Sequence, residues 1–99
     1  MRVLIKEPGE GWRVEDIRNT LEGFQQAVGG YIETLTPESL HGLVLIFDEE
    51  GRLRGKAPNL TVEGKEIVGT VVLCGTDGDE FAPVPDWCVR AMTHKSFWT

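Results

Sequence analysis

Apolar and polar residues alternate in short blocks along this chain, and one block in its first half repeats with the period of a helix. Residues 1–7 (MRVLIKE) are β-branched and apolar at their centre and run into Pro8-Gly9-Glu10-Gly11, a turn cluster that ends a strand. Residues 12–17 (WRVEDI) place Trp12 and Val14 on one face, with Ile17 out of register, which predicts a short second strand in a hairpin with the first. The period then changes. Leu21, Phe24 and Val28 recur at i, i+3 and i+7; Asn19 stands at an N-cap position with Glu22 three residues on, and Gly29-Gly30 closes the helix. Tyr31 to Leu35 resumes with strand formers almost without a loop.

Beyond the breaker Thr36-Pro37-Glu38-Ser39, the run Leu43-Val44-Leu45-Ile46-Phe47 is continuously apolar and too short for a typical helix, so it predicts a central strand covered on both faces. Asp48-Glu49-Glu50-Gly51 predicts a hairpin, with Gly51 left-handed and the chain returning as a strand through Arg52-Leu53-Arg54. Residues 55–61 read as a loop, because Pro58 is excluded from a central ladder, and Val62 to Lys65 reads as another turn. Glu66 to Gly75 (EIVGTVVLCG) is the longest apolar stretch, one strand with a bulge at Gly69 lying beside residues 43–47. Asp77 to Glu80 forms a turn, and Asp86 caps a short last helix whose face is Trp87, Cys88, Ala91 and Met92. The sum is an α+β fold: a small mixed or mainly antiparallel sheet in the order ββαβββ, one helix on a face, and a short C-terminal helix.

A chain of 99 residues forms one core. We place the domain at residues 1–80 and treat residues 81–99 as an extension that packs on it or on a partner. The net charge of −6, from 16 acidic and 10 basic residues, disfavours a phosphate backbone, so direct nucleic-acid binding is not expected. No stretch approaches the length of a membrane span, and Cys74 and Cys88 sit in apolar surroundings as free thiols, which together point to a reducing cytoplasm. A small domain with an exposed sheet edge also invites a homodimer.

Candidate chemistry is sparse. Cys88 and His94 lack a third residue to orient the imidazole, Ser39 and Ser96 lie in no nucleophile elbow, and the acidic turn at Asp77, Asp79 and Glu80 lacks the ligand spacing of a calcium loop. No catalytic residue, metal site or cofactor is therefore assigned. One constellation suits a small anionic or nucleotide-like ligand: Arg52 and Arg54 on one strand face, the amide of Asn59, and the neighbouring Tyr31 and Glu33. The competing reading is a solvent-facing strand whose arginines pair with Glu49, Glu50 or Glu63. Trp12, Phe97 and Trp98 are either core or an exposed aromatic anchor for a partner protein.

Taken together, Glu7-Pro8-Gly9, Val28-Gly29-Gly30-Tyr31-Ile32-Glu33, Asp48-Glu49-Glu50-Gly51-Arg52-Leu53, Pro58-Asn59 and Ile67 to Leu73 with Gly75 resemble a family of small proteins bearing a domain of unknown function. That family is encoded largely by bacteriophages, prophages and mobile elements, and the resemblance spans residues 1–80. It brings no established catalytic residue. It implies action in the cytosol of a bacterial host, by binding a target instead of converting it. Two functions follow as expectations: a non-catalytic protein that occupies a host protein and counters host defence, and a module that sequesters a small nucleotide-like signal through Arg52, Arg54 and Asn59.

Overall fold

The computed structural model describes residues 1–94. Its centre is set by the longest apolar runs: β4 (Leu43–Asp48) is buried at every position, and β7 (Val71–Asp77) is buried from Val71 to Gly75. Both pair antiparallel, Leu45 opposite Leu73, and extend outward to β1 (Arg2–Lys6), β2 (Trp12–Asp16) and β3 (Ile32–Leu35) in the order β2-β1-β7-β4-β3. A short β8 (Glu80–Ala82) pairs with the far end of β7 in line with β1. Every pairing is antiparallel.

Alternation along these strands splits the core between two faces. Val3, Ile5, Val44, Ile46, Val72 and Cys74 face α1 (Leu21–Val28), which buries Phe24 and Val28 against them. Leu4, Leu43, Leu45, Phe47, Val71 and Leu73 face the other way and are covered by Ile67, Val84 and Cys88. That second cover comes from a separate two-stranded sheet, β5 (Pro58–Val62) with β6 (Lys65–Val68), and from α2 (Asp86–Thr93). The fold is α+β, three layers deep, with the sheet in the middle.

Several sequence expectations require correction. Thr20, not Asn19, caps α1: its extended backbone turns Oγ1 to accept from the Gly23 N–H at 3.0 Å, while Asn19 donates to the Phe81 carbonyl. The helix closes as expected at left-handed Gly29 (φ 77°). No strand returns through residues 52–54. They form a turn, Gly51 is not left-handed, and the left-handed glycine is Gly55. Residues 58–62, read as loop, form β5, because Pro58 sits at the start of a two-stranded ribbon where its missing N–H is tolerated. The expected single strand 66–75 is two, parted at Gly69 (φ 76°), so β6 leaves the main sheet and folds over its face. The expected order ββαβββ thus becomes ββαββββββα, and the tight turn at Glu63-Gly64, both with positive φ, joins β5 to β6. Pro85 holds the N-cap position of α2, and Asp86 lies in its first turn, bonded to Arg2.

Residues beyond 80 belong to this body as far as they are described: Val84 donates to the Arg2 carbonyl and, with Cys88, lies in the core. Phe97 and Trp98 lie outside the described residues. Trp12 packs on the core beside α2 and is half-buried.

Candidate functional site

The constellation expected at Arg52, Arg54, Asn59, Tyr31 and Glu33 is divided by the fold. Arg52 donates to the Glu66 carbonyl at 2.9 Å and stands 3.8 Å from the Glu66 carboxylate. Arg54 donates to the Gly29 carbonyl at 2.9 Å and pairs with Glu50 and Asp48. Asn59 is saturated elsewhere: its amide donates to the carbonyls of Lys6 and Gly69 and accepts from Lys6 Nζ at 2.7 Å, tying β5 to β1. Tyr31 is exposed, and Glu33 bonds Lys65 at 2.6 Å. Only Glu33 and Arg52 line a common cleft, about 60 Å³ in volume, with Lys65 and Glu66.

The most structured polar site lies one step away, at Asp48. This residue closes the apolar run of β4 with a side chain wholly removed from solvent, and sequence reasoning had assigned it only to a turn. Its Oδ1 accepts from the Glu50 N–H at 2.9 Å; Oδ2 lies 2.8 Å from Lys56 Nζ and 3.7 Å from Arg54. Burial alone would raise the Asp48 pKa, but the bond from Lys56, the Glu50 amide and the charges of Lys56 and Arg54 outweigh it and hold the carboxyl below the usual range. The same two cations cap α1, Lys56 donating to the Val28 carbonyl at 2.8 Å and Arg54 to that of Gly29. Those carbonyls end a helix with no basic residue in its last turn, where positive charge is favourable. The signal in the sequence was an acidic residue ending a fully apolar strand, which burial on both faces turns into a charge in need of partners.

The cysteines are held protonated. Burial pushes the Cys74 thiol up to about 12, offset only partly by the Ala82 amide, and burial raises Cys88 as well. Both are free and buried.

A larger concavity lies elsewhere, an open groove of about 770 Å³ between the end of β2 and α1. Asp16, Ile17 and Arg18 form one wall, and Thr20, Glu22, Gly23, Gln26 and Ala27 the other. Gly23 is required here, since a β-carbon on it would lie 2.3 Å from the Arg18 carbonyl oxygen. The segment Arg18 to Thr20 therefore folds tightly onto the helix start and shapes the groove. The sequence reading gives Ile17 and Glu22 structural roles only and does not single out the groove, because its polar side chains carry no pattern beyond that of a solvated helix face.

These features define an α+β domain built on a six-stranded antiparallel sheet, with a polar lock at one end of its helix and an open groove at the other. The chain belongs to the family described as a domain of unknown function, DUF3846, which it matches over residues 1–96. The match runs past residue 80 and takes in β8 and α2. No curated protein and no solved structure matches the chain. No helix among the described residues is long and apolar enough to cross a membrane.

Proposed function

We propose that this domain works by binding another protein without catalysis: a small accessory protein of a bacteriophage or mobile element that occupies a host protein in the bacterial cytosol and so counters host defence. The groove beside α1 carries this reading. It is open along its length and mixes apolar Ile17 and Ala27 with Arg18, Glu22 and Gln26, a lining suited to a projecting segment of a protein. Leu21, 56% exposed, adds apolar surface between two of the lining residues. The interior groups with chemical potential are already engaged, the thiols by protonation and Asp48 by its cations.

Sequestration of a nucleotide-like ligand draws less support. The cleft at Glu33 and Arg52 holds about 60 Å³, against roughly 300 Å³ or more for a typical small-molecule site. Its arginine already bonds Glu66.

A photocrosslinking amino acid at Gln26, with one at Arg52 as control, tests the proposal in host cells. A host protein captured from Gln26 and not from Arg52 is the expected result. A nucleotide-sized mass retained by the purified protein from a host small-molecule extract, and lost in Arg52→Ala with Arg54→Ala, would sink it.

A further inference from the structure

The two edges of the main sheet are unlike. At β3, Glu33 is bonded to Lys65 of the second sheet, and Lys65 Nζ also lies 5.2 Å from the centre of the Phe47 ring on the neighbouring strand, so this edge is flanked. At β2, the only strand partner among the described residues is β1. Met1 and Ile17 exchange both backbone bonds, the Met1 amine donating to Ile17 at 2.7 Å and the Ile17 N–H to Met1 at 3.0 Å. In an antiparallel ladder such bonded pairs alternate with unbonded ones. Stepping along the register, Glu15 and Arg13 turn their backbone groups toward β1, while Asp16, Val14 and Trp12 turn theirs outward. Val14 is also 44% exposed, its side chain standing off the sheet face and not across the edge.

We infer that β2 is a dimerisation edge, its occupant being β2 of a second copy of this chain, paired antiparallel about a two-fold axis at Val14. The sequence of the edge is self-complementary in that register. Val14 meets Val14 of the other copy as a bonded pair, with Trp12 opposite Asp16 on either side, so every outward N–H and C=O finds a partner. Arg13 then meets Glu15 of the other copy, twice, as unbonded pairs, the class that brings opposing side chains closest. Both side chains are half-exposed, Arg13 at 43% and Glu15 at 44%, and lie 3.2 Å apart within one chain, where Arg13 also stands 3.3 Å from Glu7, so pairing across the axis joins two existing charge clusters. A sheet of six strands becomes one continuous sheet across two copies, and an isologous contact closes without leaving a second β2 edge. This goes beyond the proposed function and does not depend on what the groove binds.

Sedimentation velocity of the full chain and three variants tests it. The expected result is a species of twice 11.0 kDa for the natural sequence at micromolar concentration. Val14→Pro removes an N–H that faces away from β1 and fixes φ at an edge position where proline is tolerated, and it is expected to give a monomer with an unchanged circular dichroism spectrum. Arg13→Glu and Glu15→Arg each place like charges across the axis and give monomers, and combining the two restores the dimer. A natural chain that stays monomeric into the millimolar range, or a dimer indifferent to Val14→Pro and to both single reversals, overturns the inference.

Discussion

Gly30 lies directly against Asp48: a β-carbon built on Gly30 would stand 2.5 Å from Asp48 Oδ1 and 2.7 Å from its Cγ. The second glycine after α1 is thus there for space, whereas the first, Gly29, is there for its left-handed backbone. The pair lets the chain leave the helix, pass over a buried carboxylate and enter β3 within three residues.

Replacing Gly30 by Ala forces that carboxylate away from Lys56. Overpacking of this kind costs about 1–3 kcal/mol. Urea unfolding of Gly30→Ala is expected to show a lower midpoint with an unchanged slope.

Asp48→Asn removes the charge that holds Lys56 and Arg54. The folded carboxyl titrates below its unfolded value of about 4, so the stability it adds is complete above that pH and drains as the pH falls through the folded value. The variant is therefore weaker than the natural chain by about 3 kcal/mol at neutral pH. Melting curves from pH 7 down to pH 2 should show the two converging as the acid end is approached.

Lys56 and Arg54 contact the same carboxylate but are not equivalent. Lys56 is three-quarters buried at 2.8 Å, whereas Arg54 is 44% exposed at 3.7 Å. Lys56→Ala should cost about 3 kcal/mol by leaving a buried charge short of its main partner. Arg54→Ala should stay within about 1 kcal/mol, as screened pairs do. Equal losses in thermal unfolding would contradict this assignment.

Neither cysteine should react with a thiol reagent at pH 8 until the chain unfolds, when both become available. Because Cys74 is held protonated to about 12, the native state loses stability as pH rises above the free thiol value of about 8.5, where only the unfolded chain ionises. Substituting Cys74→Ala should flatten the decline between pH 8 and 10 in urea titrations.

Much of the architecture was legible in the residue pattern. The Leu43 to Phe47 run, the helix face of Phe24 and Val28, and the turns at Pro8-Gly9 and Asp77 to Glu80 depend on local periodicity and backbone preference, and they occur where the sequence puts them. The helix cap was misplaced by one residue because Asn19 and Thr20 are both good caps, and only the fold sends the Asn19 amide to Phe81.

The sequence by itself determined the central strands and the buried side of α1 at Phe24 and Val28, since these follow from periods of two and 3.6 residues; Leu21, Val14 and Trp87, on the same patterns, stay about half exposed because no layer covers them fully. Tertiary structure decided which polar residues meet. Asp48 reads as a turn residue until Lys56 and Gly30 arrive from elsewhere in the chain to enclose it, and Arg52 and Asn59 read as neighbours until Gly69 turns β6 off the main sheet and Asn59 is bound to β1. Charges act through space with a strength set by burial, so their partners are fixed only once the layers have closed.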